Sequence, residues 1–224
     1  MVYAIILSGG TGERLGGTIP KQYIEVNGRP IIADCIDVFE DCEAVDSYIV
    51  VAMDEWQSYI RNLCGKKFSG FAKPGDNRQL SIYNGLSALK KMAMDDDIVI
   101  VHDAARPFVT KKTIEALLDG CMNSDGAMPA LPVKDTMYIQ QNGKVKSLID
   151  RNSLIAGQAP EAFKYAKYVL ANEILLPDKI LDIKGSTEPA FMAGMNITVV
   201  EGDERNYKIT TKEDLDRYIK IKSY

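Results

Sequence analysis

The sequence predicts an α/β fold: a Rossmann-like, mainly parallel sheet with helices on both faces and one projecting β-hairpin arm. Short β-branched, apolar runs alternate with helical patterns over most of the 224 residues, as they do where crossover helices join parallel strands. The run 97–103 holds four consecutive aliphatic residues, which is typical of a central strand buried on both faces. A glycine-rich segment directly follows the first apolar run, where α/β sheets bind ligands.

Apolar spacing predicts the individual elements in chain order. Strand predictions depend on β-branched runs between turn residues, and helix predictions depend on i, i+4 and i+7 spacing, as at Ile82, Leu86 and Leu89. We expect strands at 5–7, 47–53, 71–73, 97–103, 126–131 and 197–201. We expect helices at about 30–40, 55–64, 78–94, 114–121 and 163–174, and a last helix with Leu215, Tyr218 and Ile219 inward. Thr211 and Asp214 have the spacing of a capping box at the start of that last helix.

A predicted hairpin stands apart from this alternation. The runs 136–140 and 144–149 flank Asn142-Gly143, a dipeptide that favours two-residue hairpin turns. Both runs are polar and alternate only in part, so we expect an arm over 134–152 that projects from the core. The chain shows no internal repeat, linker or low-complexity tract. We therefore predict a single domain over 1–224, with the arm inside it.

The composition argues against several classes of function. Hydrophobic residues make up 46% of the chain, and the formal net charge of −4 argues against a broad nucleic-acid-binding surface. No apolar run approaches the roughly 18 residues of a membrane span. A single histidine and four cysteines without Cys-x-x-Cys spacing argue against zinc and favour reduced thiols. Since the chain also opens without a signal-peptide pattern, we expect a cytoplasmic protein.

The glycine-rich opening segment is the first candidate site. Glycines let a backbone approach a ligand closely, and successive N–H groups can bind anionic oxygens. Arg14 and Lys21 would add the fixed positive charge that phosphates require. The spacing lacks the third glycine of a dinucleotide fingerprint and the Gly-Lys-Ser/Thr of a Walker A loop. A nucleotide triphosphate loop is our first hypothesis, and a glycine-rich turn with two solvated cations is the alternative.

The second candidate site follows the central strand, at His102-Asp103-Ala104-Ala105-Arg106. A carboxylate beside a phosphate loop is favourable only if a divalent cation bridges them, and Mg²⁺ takes one or two carboxylates plus phosphate oxygens. Asp103 is therefore the candidate metal ligand, with a helix cap or a salt bridge to Arg106 as the alternatives. His102 points to the opposite side of the strand from Asp103, and we interpret it as structural.

Several collinear segments resemble one family, the cytidylyltransferases that act on polyol phosphates. The opening loop with Pro20-Lys21-Gln22 and the Asp103 segment are similar to the nucleotide loop and the central motif of that family. Further matches are Pro132-Val133-Lys134-Asp135-Thr136, Asp150-Arg151-Asn152, Gln158-Ala159-Pro160-Glu161-Ala162-Phe163 and Asn206-Tyr207-Lys208-Ile209-Thr210. Because the matches span nearly the whole chain, together they are far more specific than any single motif.

The resemblance implies transfer of CMP from CTP to a polyol phosphate, with release of pyrophosphate. The implied acceptor is 2-C-methyl-D-erythritol 4-phosphate, an isoprenoid precursor, and ribitol 5-phosphate is the alternative. Arg14, Lys21 and Lys208 would be catalytic, and Asp103 would hold Mg²⁺. The residues that would bind CTP are Ser8, Gly9, Gly10, Thr11, Gly12, Gly75, Asp76 and Ser81.

The resemblance also implies an acceptor site shared between two subunits. The arm 134–152 would reach into a partner, which implies a homodimer, and an isolated two-stranded arm is only marginally stable in water. The residues facing the polyol phosphate would be Arg106, Thr136, Arg151 and Thr187, with Thr136 and Arg151 serving the partner's site. The simpler alternatives are a surface salt bridge for Arg151, a solvated cation for Lys208, and a turn with a helix cap for 74–78.

Two departures from the family pattern leave the acceptor open. Ala159 stands in the family's usual Gln-Thr-Pro, and Glu188-Pro189 stands in its usual Thr-Asp-x-Ala. By the resemblance both lie toward the polyol, so nucleotide transfer is a firmer expectation than the identity of the acceptor. A nucleotidyltransferase for another phosphorylated sugar and a non-catalytic nucleotide-binding protein are the other hypotheses. Four charged residues around one phosphorus favour catalysis over binding alone.

Overall fold

The computed structural model describes residues 1–11 and 19–223. Its strands are β1 (Val2–Leu7), β2 (Glu25–Val26), β3 (Arg29–Pro30), β4 (Ser47–Val51), β5 (Phe68–Ala72), β6 (Ile98–Asp103), β7 (Gly126–Pro132), β8 (Met137–Gln141), β9 (Lys144–Ile149), β10 (Ile155–Gly157), β11 (Glu161–Lys164) and β12 (Ile197–Glu201). Its helices are α1 (Ile31–Asp41), α2 (Asp54–Arg61), α3 (Arg78–Leu89), α4 (Lys111–Cys121), α5 (Tyr165–Glu173), α6 (Thr187–Met192) and α7 (Lys212–Lys222). Among these residues, no helix combines the length and the apolar character that crossing a membrane requires.

Eight strands form the central sheet, in the order β10-β7-β11-β6-β1-β4-β5, with β12 paired to β7. The pairs between β5, β4, β1 and β6 are parallel, and so is the pair between β12 and β7. The predicted mainly parallel, Rossmann-like sheet is therefore confirmed. The register pairs Leu7 with Asp103, so the last residues of β1 and β6 lie side by side. This register brings the two candidate sites to one edge of the sheet.

The sheet is buried on both faces, as the aliphatic runs predict. Along β1, Ala4 and Ile6 belong to one buried cluster, which also contains residues of α1 and α4. The alternate residues Tyr3 and Ile5 belong to a second cluster, which also contains residues of α3 and α5. Because neighbouring side chains of a strand point to opposite faces, this partition places helices on both faces of the sheet.

The predicted helix over 163–174 is wrong at its start. Residues Glu161–Lys164 form β11, which lies antiparallel between β6 and β7. Ala162 packs in one core cluster and Phe163 in the other, and this alternation is that of a strand. The helix α5 begins only at Tyr165. Because a four-residue strand runs directly into the helix, their apolar residues merged into a single helical pattern in the sequence.

The predictions for helices α7 and α3 are confirmed only in part. The capping box at α7 is confirmed, since Thr211 accepts a hydrogen bond from the Asp214 amide and the Asp214 carboxylate accepts one from the Thr211 amide. The inward position predicted for Ile219 is wrong, because that side chain is 39% exposed. The helix predicted over 78–94 is shorter, since α3 ends at Leu89.

The hairpin predicted near 136–149 is confirmed, and it forms a sheet of its own. Strands β8 and β9 pair only with each other among the described strands. Its turn has positive φ at Asn142 (52°) and Gly143 (76°), as a two-residue hairpin turn requires. Large apolar side chains on it are exposed, including Val145 at 69% and Leu148 at 65%. Such a surface is unusual for a solvated hairpin.

Gly85 sets how closely α3 packs on the sheet, and we predict that Gly85→Ala destabilises the fold. An added Cβ would lie 2.7 Å from Ile5 Cγ2, and Ile5 is fully buried. Overpacking of a core costs about 1–3 kcal/mol, which exceeds the gain of about 1 kcal/mol in helix propensity. Urea unfolding should therefore show a lower free energy of unfolding. Ser87→Ala, at an exposed position of the same helix, is the control, and a Gly85→Ala protein as stable as this control would contradict the packing argument.

Candidate active site

A cavity of about 490 Å³ lies at the carboxyl ends of β1 and β6. Five separate stretches of the sequence contribute to its wall, within 7–11, 21–22, 75–81, 103–105 and at 208. The lining residues are Leu7, Gly9, Gly10, Thr11, Lys21, Gln22, Gly75, Asp76, Asn77, Arg78, Ser81, Asp103, Ala105 and Lys208. The structure thus brings together most of the residues that the sequence predicted for nucleotide binding and catalysis. Arg14 and Gly12 lie outside the described residues.

Side chains of a short 3-10 turn at Lys21–Tyr23 hold the described part of the opening loop in place. The Gln22 side-chain amide donates to the carbonyls of Ser8 and Gly10, both at 2.8 Å. The Ser8 hydroxyl donates to Tyr23 Oη at 2.7 Å and is buried. Ser8 therefore supports the loop from beneath and does not line the cavity. Lys21, which begins the turn, is held at the cavity wall by the same contacts.

Two glycines of the opening loop serve different purposes. A Cβ on Gly9 would lie 2.4 Å from Pro74 Cβ, whereas a Cβ on Gly10 would meet nothing within 4 Å. Gly9 thus allows the opening loop to pack against the loop that carries Gly75, and Gly10 faces open space. The first glycine closes the cavity wall, and the second leaves room for a ligand against bare backbone.

The segment from Gly75 to Ser81 forms another part of the cavity wall. The Gly75 amide donates to Ser81 Oγ at 3.0 Å. Asn77 caps α3, since its side chain accepts from the Leu80 amide at 2.7 Å. The helix cap proposed as a simpler alternative for this segment is therefore present. The helix cap does not exclude the predicted binding role, because Gly75, Asp76 and Ser81 also line the cavity.

Asp103 is the electrostatic centre of the cavity. Its Oδ1 accepts from Arg78 Nε at 3.0 Å, and its Oδ2 accepts from Lys208 Nζ at 2.9 Å. Arg106 Nε lies 3.7 Å from the same Oδ2. The salt bridge to Arg106 considered as an alternative thus exists, but it is the longest of the three ion pairs. Lys208, considered as a solvated cation, instead pairs with the carboxylate from the far end of the chain.

These cations keep Asp103 ionised although it is buried. Burial by itself would raise the pKa of the carboxyl group, but the charges of Arg78, Lys208 and Arg106 outweigh it and hold the pKa well below its ordinary value. The neighbouring His102 is neutral, because burial lowers its pKa to about 4. Its Nε2 lies 3.0 Å from the Arg106 carbonyl oxygen. This contact supports the structural interpretation of His102.

The segment that carries Lys208 is held by buried polar side chains. Arg106 Nη1 donates to the Asn206 carbonyl at 2.7 Å, and the Asn206 side chain donates to the Ala159 carbonyl at 2.8 Å. The Gln158 side chain donates to the Asp203 carbonyl and accepts from the Asp203 amide. A backbone hydrogen bond also holds this segment, since the Ile209 amide donates to the Ala105 carbonyl at 2.9 Å. Lys208 therefore approaches Asp103 on a rigid segment.

The predicted acceptor-side residues do not all lie together in this chain. Thr187 is at the start of α6, and its hydroxyl donates to Glu161 Oε1 at 2.7 Å. Glu161 is buried, and this burial raises its pKa to about 7, against the opposing charge of Arg78.

Thr136 and Arg151 lie at the two ends of the arm, outside the cavity wall, and both are exposed. Arg151 Nη1 donates to the Lys134 carbonyl at 2.7 Å, and among the described residues the surface salt bridge considered for Arg151, to Asp150 or Glu161, is not formed.

The donor set at Asp103 fits a metal ion that arrives with phosphate ligands. Among the described residues, no group of three or more His, Cys, Asp or Glu side chains could hold a metal by itself. Mg²⁺ commonly uses one or two carboxylates and takes its remaining ligands from phosphates and water. Asp103 is ionised and lines the cavity beside the glycine loop, so it can serve as the single protein ligand of such an ion.

Sequence reasoning missed two residues of the site. Gln22 ties the opening loop together, and Arg78 binds Asp103. A signal for Arg78 was available, because a cation in the first turn of a helix opposes the helix dipole and calls for an anionic partner. Gln22 offered no comparable signal, since glutamine side chains on turns are mostly solvated.

The fold and the cavity together are those of a class of enzymes, the α/β nucleotidyltransferases, which bind their ligands at the carboxyl edge of a parallel sheet. The family described as IspD, 2-C-methyl-D-erythritol 4-phosphate cytidylyltransferase, matches residues 2–220. The chain belongs to this family, as the motifs predicted, and it is a CTP-dependent nucleotidyltransferase.

Relatives of the chain carry two names. A 2-C-methyl-D-erythritol 4-phosphate cytidylyltransferase of Clostridium beijerinckii is 36% identical over 222 residues, covering 96% of this chain and 95% of the relative. A ribitol-5-phosphate cytidylyltransferase of Streptococcus agalactiae is 31% identical over 220 residues, covering 96% and 92%. The crystal structure of the Francisella tularensis 2-C-methyl-D-erythritol 4-phosphate cytidylyltransferase superposes with a TM-score of 0.82 at 27% identity, covering 97% of each chain.

Proposed function

We propose that this enzyme transfers CMP from CTP to 2-C-methyl-D-erythritol 4-phosphate and releases pyrophosphate. The observation that carries the proposal is the cluster at Asp103, in which a carboxylate and three cations meet at one end of a cavity walled by Gly10 and Gly75. A triphosphate needs such positive charge, and a metal delivered with it needs the carboxylate. Both names carried by the relatives describe transfer to a polyol phosphate.

The reaction joins a phosphate oxygen of the acceptor to the α-phosphorus of CTP. The bond from the α-phosphorus to the oxygen bridging toward the β-phosphorus breaks, and its electron pair leaves with pyrophosphate. No general base is needed, because the attacking phosphate is already anionic. The protein supplies positioning and charge, which are the main requirements of phosphoryl-type transfer.

Four charged residues have a role in this proposed reaction. Lys21 and Arg14 stabilise the triphosphate and the charge that develops at the α-phosphorus. Lys208 acts on the same phosphate from the opposite wall, where its ammonium group now pairs with Asp103. Asp103 would hold Mg²⁺, which when bound neutralises phosphate charge and aligns the triphosphate.

The acceptor site is completed by a second subunit in this proposal. Arg106 and Thr187 lie on the body of the chain, whereas Thr136 and Arg151 lie on the exposed arm. The exposed apolar residues of the arm support a partner surface that covers them. The enzyme thus acts as a homodimer, with each arm contributing to the site of its partner. The four free cysteines are compatible with the proposed cytoplasmic location.

Replacing 136–150 by a short turn should convert the dimer into a monomer. The arm is a separate two-stranded sheet, so the body should fold without it. Analytical ultracentrifugation would measure the mass, and circular dichroism would check the fold of the body. We also expect turnover to fall at least hundredfold, because Thr136 is deleted and Arg151 can no longer reach a partner's site. A variant that sediments as a dimer would show that the arm is not the interface.

Ribitol 5-phosphate is the alternative acceptor, and the two sequence departures do not decide against it. Ala159 is buried, and its carbonyl accepts from Asn206. Glu188 Oε2 accepts from the amides of Lys184 and Gly185 and closes the turn before α6. Ala159 therefore binds the Asn206 segment through its backbone, and the Glu188 side chain fixes the turn before α6. The 31% identical ribitol-phosphate relatives keep this alternative in place.

Pyrophosphate release with Mg²⁺ tests the proposal, with CTP, UTP and ATP each crossed against methylerythritol 4-phosphate and ribitol 5-phosphate. We expect turnover with CTP and a higher kcat/KM for methylerythritol 4-phosphate. A higher kcat/KM for ribitol 5-phosphate would show that ribitol 5-phosphate is the acceptor, and the proposed transfer of CMP would stand. If CTP binds tightly but neither acceptor is turned over, other sugar phosphates would be added to the same assay. Turnover with one of them would favour a nucleotidyltransferase for another phosphorylated sugar, and no turnover would favour the non-catalytic hypothesis.

A further inference from the structure

The first turn of α3 is tied to the segment that leads to Thr187. The Asn77 side-chain amide donates to the carbonyls of Ile180 and Leu181, at 2.9 and 3.0 Å. Arg78 Nη1 donates to Ser186 Oγ at 2.9 Å. The next residue, Gln79, donates to Tyr168 Oη, which in turn donates to the Ser186 carbonyl at 2.7 Å. Ser186, directly before Thr187, is therefore held at both its hydroxyl and its carbonyl.

Arg78 differs from its neighbours because its other end reaches Asp103. One guanidinium group donates through Nε to Asp103 Oδ1 at 3.0 Å and through Nη1 to Ser186 Oγ at 2.9 Å. Ser186 is only 2% exposed, so its hydroxyl has little access to water. The guanidinium group is planar, and its donors have fixed relative directions. The positions of Asp103 and of the Thr187 segment are therefore not independent.

We propose that Arg78 is a positioning residue that couples the acceptor side of the site to its nucleotide side, through Ser186 at one end and Asp103 at the other. This inference rests on the proposed function, and it goes beyond it by making the two substrate sites interdependent. Binding of CTP changes the charges around Asp103, and Arg78, which contacts both Asp103 and Ser186, transmits this change to the Ser186–Thr187 turn that receives the acceptor phosphate. The acceptor should bind more tightly to the enzyme with CTP than to the free enzyme.

Two conservative variants separate this coupling from the charge of Arg78. Arg78→Lys keeps the charge but cannot reach both partners with a planar fork. Ser186→Ala removes only the acceptor-side contact and leaves the pair between Arg78 and Asp103. Loss of a hydrogen bond to a charged group should raise the KM for the acceptor about tenfold in each variant. The KM for the acceptor in the double variant should not exceed that of the more impaired single variant, because both changes break the same connection.

The dissociation constant of CTP provides the matched readout. In Ser186→Ala, CTP without acceptor should bind within about twofold of the wild-type affinity by calorimetry, since the Asp103 side is intact. In both variants, CTP should no longer tighten the binding of the acceptor phosphate. Ser87→Ala, an exposed serine on α3, is the control and should keep both constants and the linkage.

A merely structural role for Arg78 predicts a different pattern. The variants would then unfold at lower temperature and lose kcat in proportion, while the KM for the acceptor would stay the same. That pattern, an unchanged acceptor KM in Ser186→Ala, or additive effects in the double variant would each overturn the proposal. If the wild type turned over neither polyol phosphate, the proposed acceptor would fail separately, and calorimetry with CTP and inorganic phosphate would still measure the linkage.

Discussion

Asp103→Asn should lower kcat about a thousandfold while metal-free CTP binds at least as tightly as to the wild type. The substitution keeps the shape of the side chain and removes its negative charge. That charge repels the triphosphate when no metal is present, so its loss favours binding. With Mg²⁺, the same loss removes the only protein ligand proposed for the ion, and such an ion supplies several kcal/mol of transition-state stabilisation. Calorimetry without Mg²⁺ and pyrophosphate release with Mg²⁺ measure the two effects.

The opposite directions of these effects make the Asp103 prediction specific. A folding defect would weaken both binding and turnover, since Asp103 pairs with Arg78 and Lys208 inside the site. The control is Asp119→Asn, which makes the same charge change at an exposed position on α4. It should leave both measurements unchanged. Wild-type turnover in Asp103→Asn would remove Asp103 from the mechanism.

Lys21→Ala should lower turnover about a hundredfold or more. Lys21 lines the cavity, and the next residue, Gln22, hydrogen-bonds to the opening loop, so we expect the Lys21 charge to act on the triphosphate. Loss of one preorganised group that stabilises developing charge costs about 10²–10³ in kcat. Steady-state kinetics at saturating CTP would measure this loss separately from any change in KM.

Two further variants show whether the charge of Lys21 or its position matters. Lys21→Arg keeps the charge with a different shape, and we expect it to recover part of the lost rate. Lys111→Ala removes an exposed lysine from the start of α4 and should have the wild-type rate. An unchanged rate in Lys21→Ala would show that the remaining cations suffice, and Lys21 would then have no catalytic role.

Most of the sheet was predictable because its strands carry the signal that burial on both faces requires. The run in β6 and the alternation of strands and helices predicted the parallel part, whereas the register of Leu7 with Asp103 is known only from the structure. The antiparallel strand β11 was not predictable in this way. Its alternation, with Ala162 on one face and Phe163 on the other, covers too few residues to be told from the helix behind it.

The candidate site was predictable where a motif combined residue type with position at a strand end. Asp103 belongs to this group, whereas Lys21 was predicted from its place in the opening segment and Gly75 from the family resemblance; all three line the cavity. Contacts between distant segments left no such trace. The hydrogen bond from Arg78 to Ser186 spans 108 positions of the sequence, and the buried hydroxyl of Ser8 turned out to support the loop from beneath. Pairings of this kind depend on the folded geometry alone.

Transfer of CMP to an acceptor whose phosphate oxygens carry ¹⁸O tests the central claim most directly. The enzyme, CTP and Mg²⁺ would be combined with labelled methylerythritol 4-phosphate, and in a parallel reaction with labelled ribitol 5-phosphate, and the products would be examined by ³¹P NMR and mass spectrometry. We predict a CDP-polyol that keeps all of the label, one labelled oxygen bridging its two phosphorus atoms, together with unlabelled pyrophosphate. Label in the pyrophosphate, or formation of CMP without any CDP-polyol from either acceptor, would contradict it.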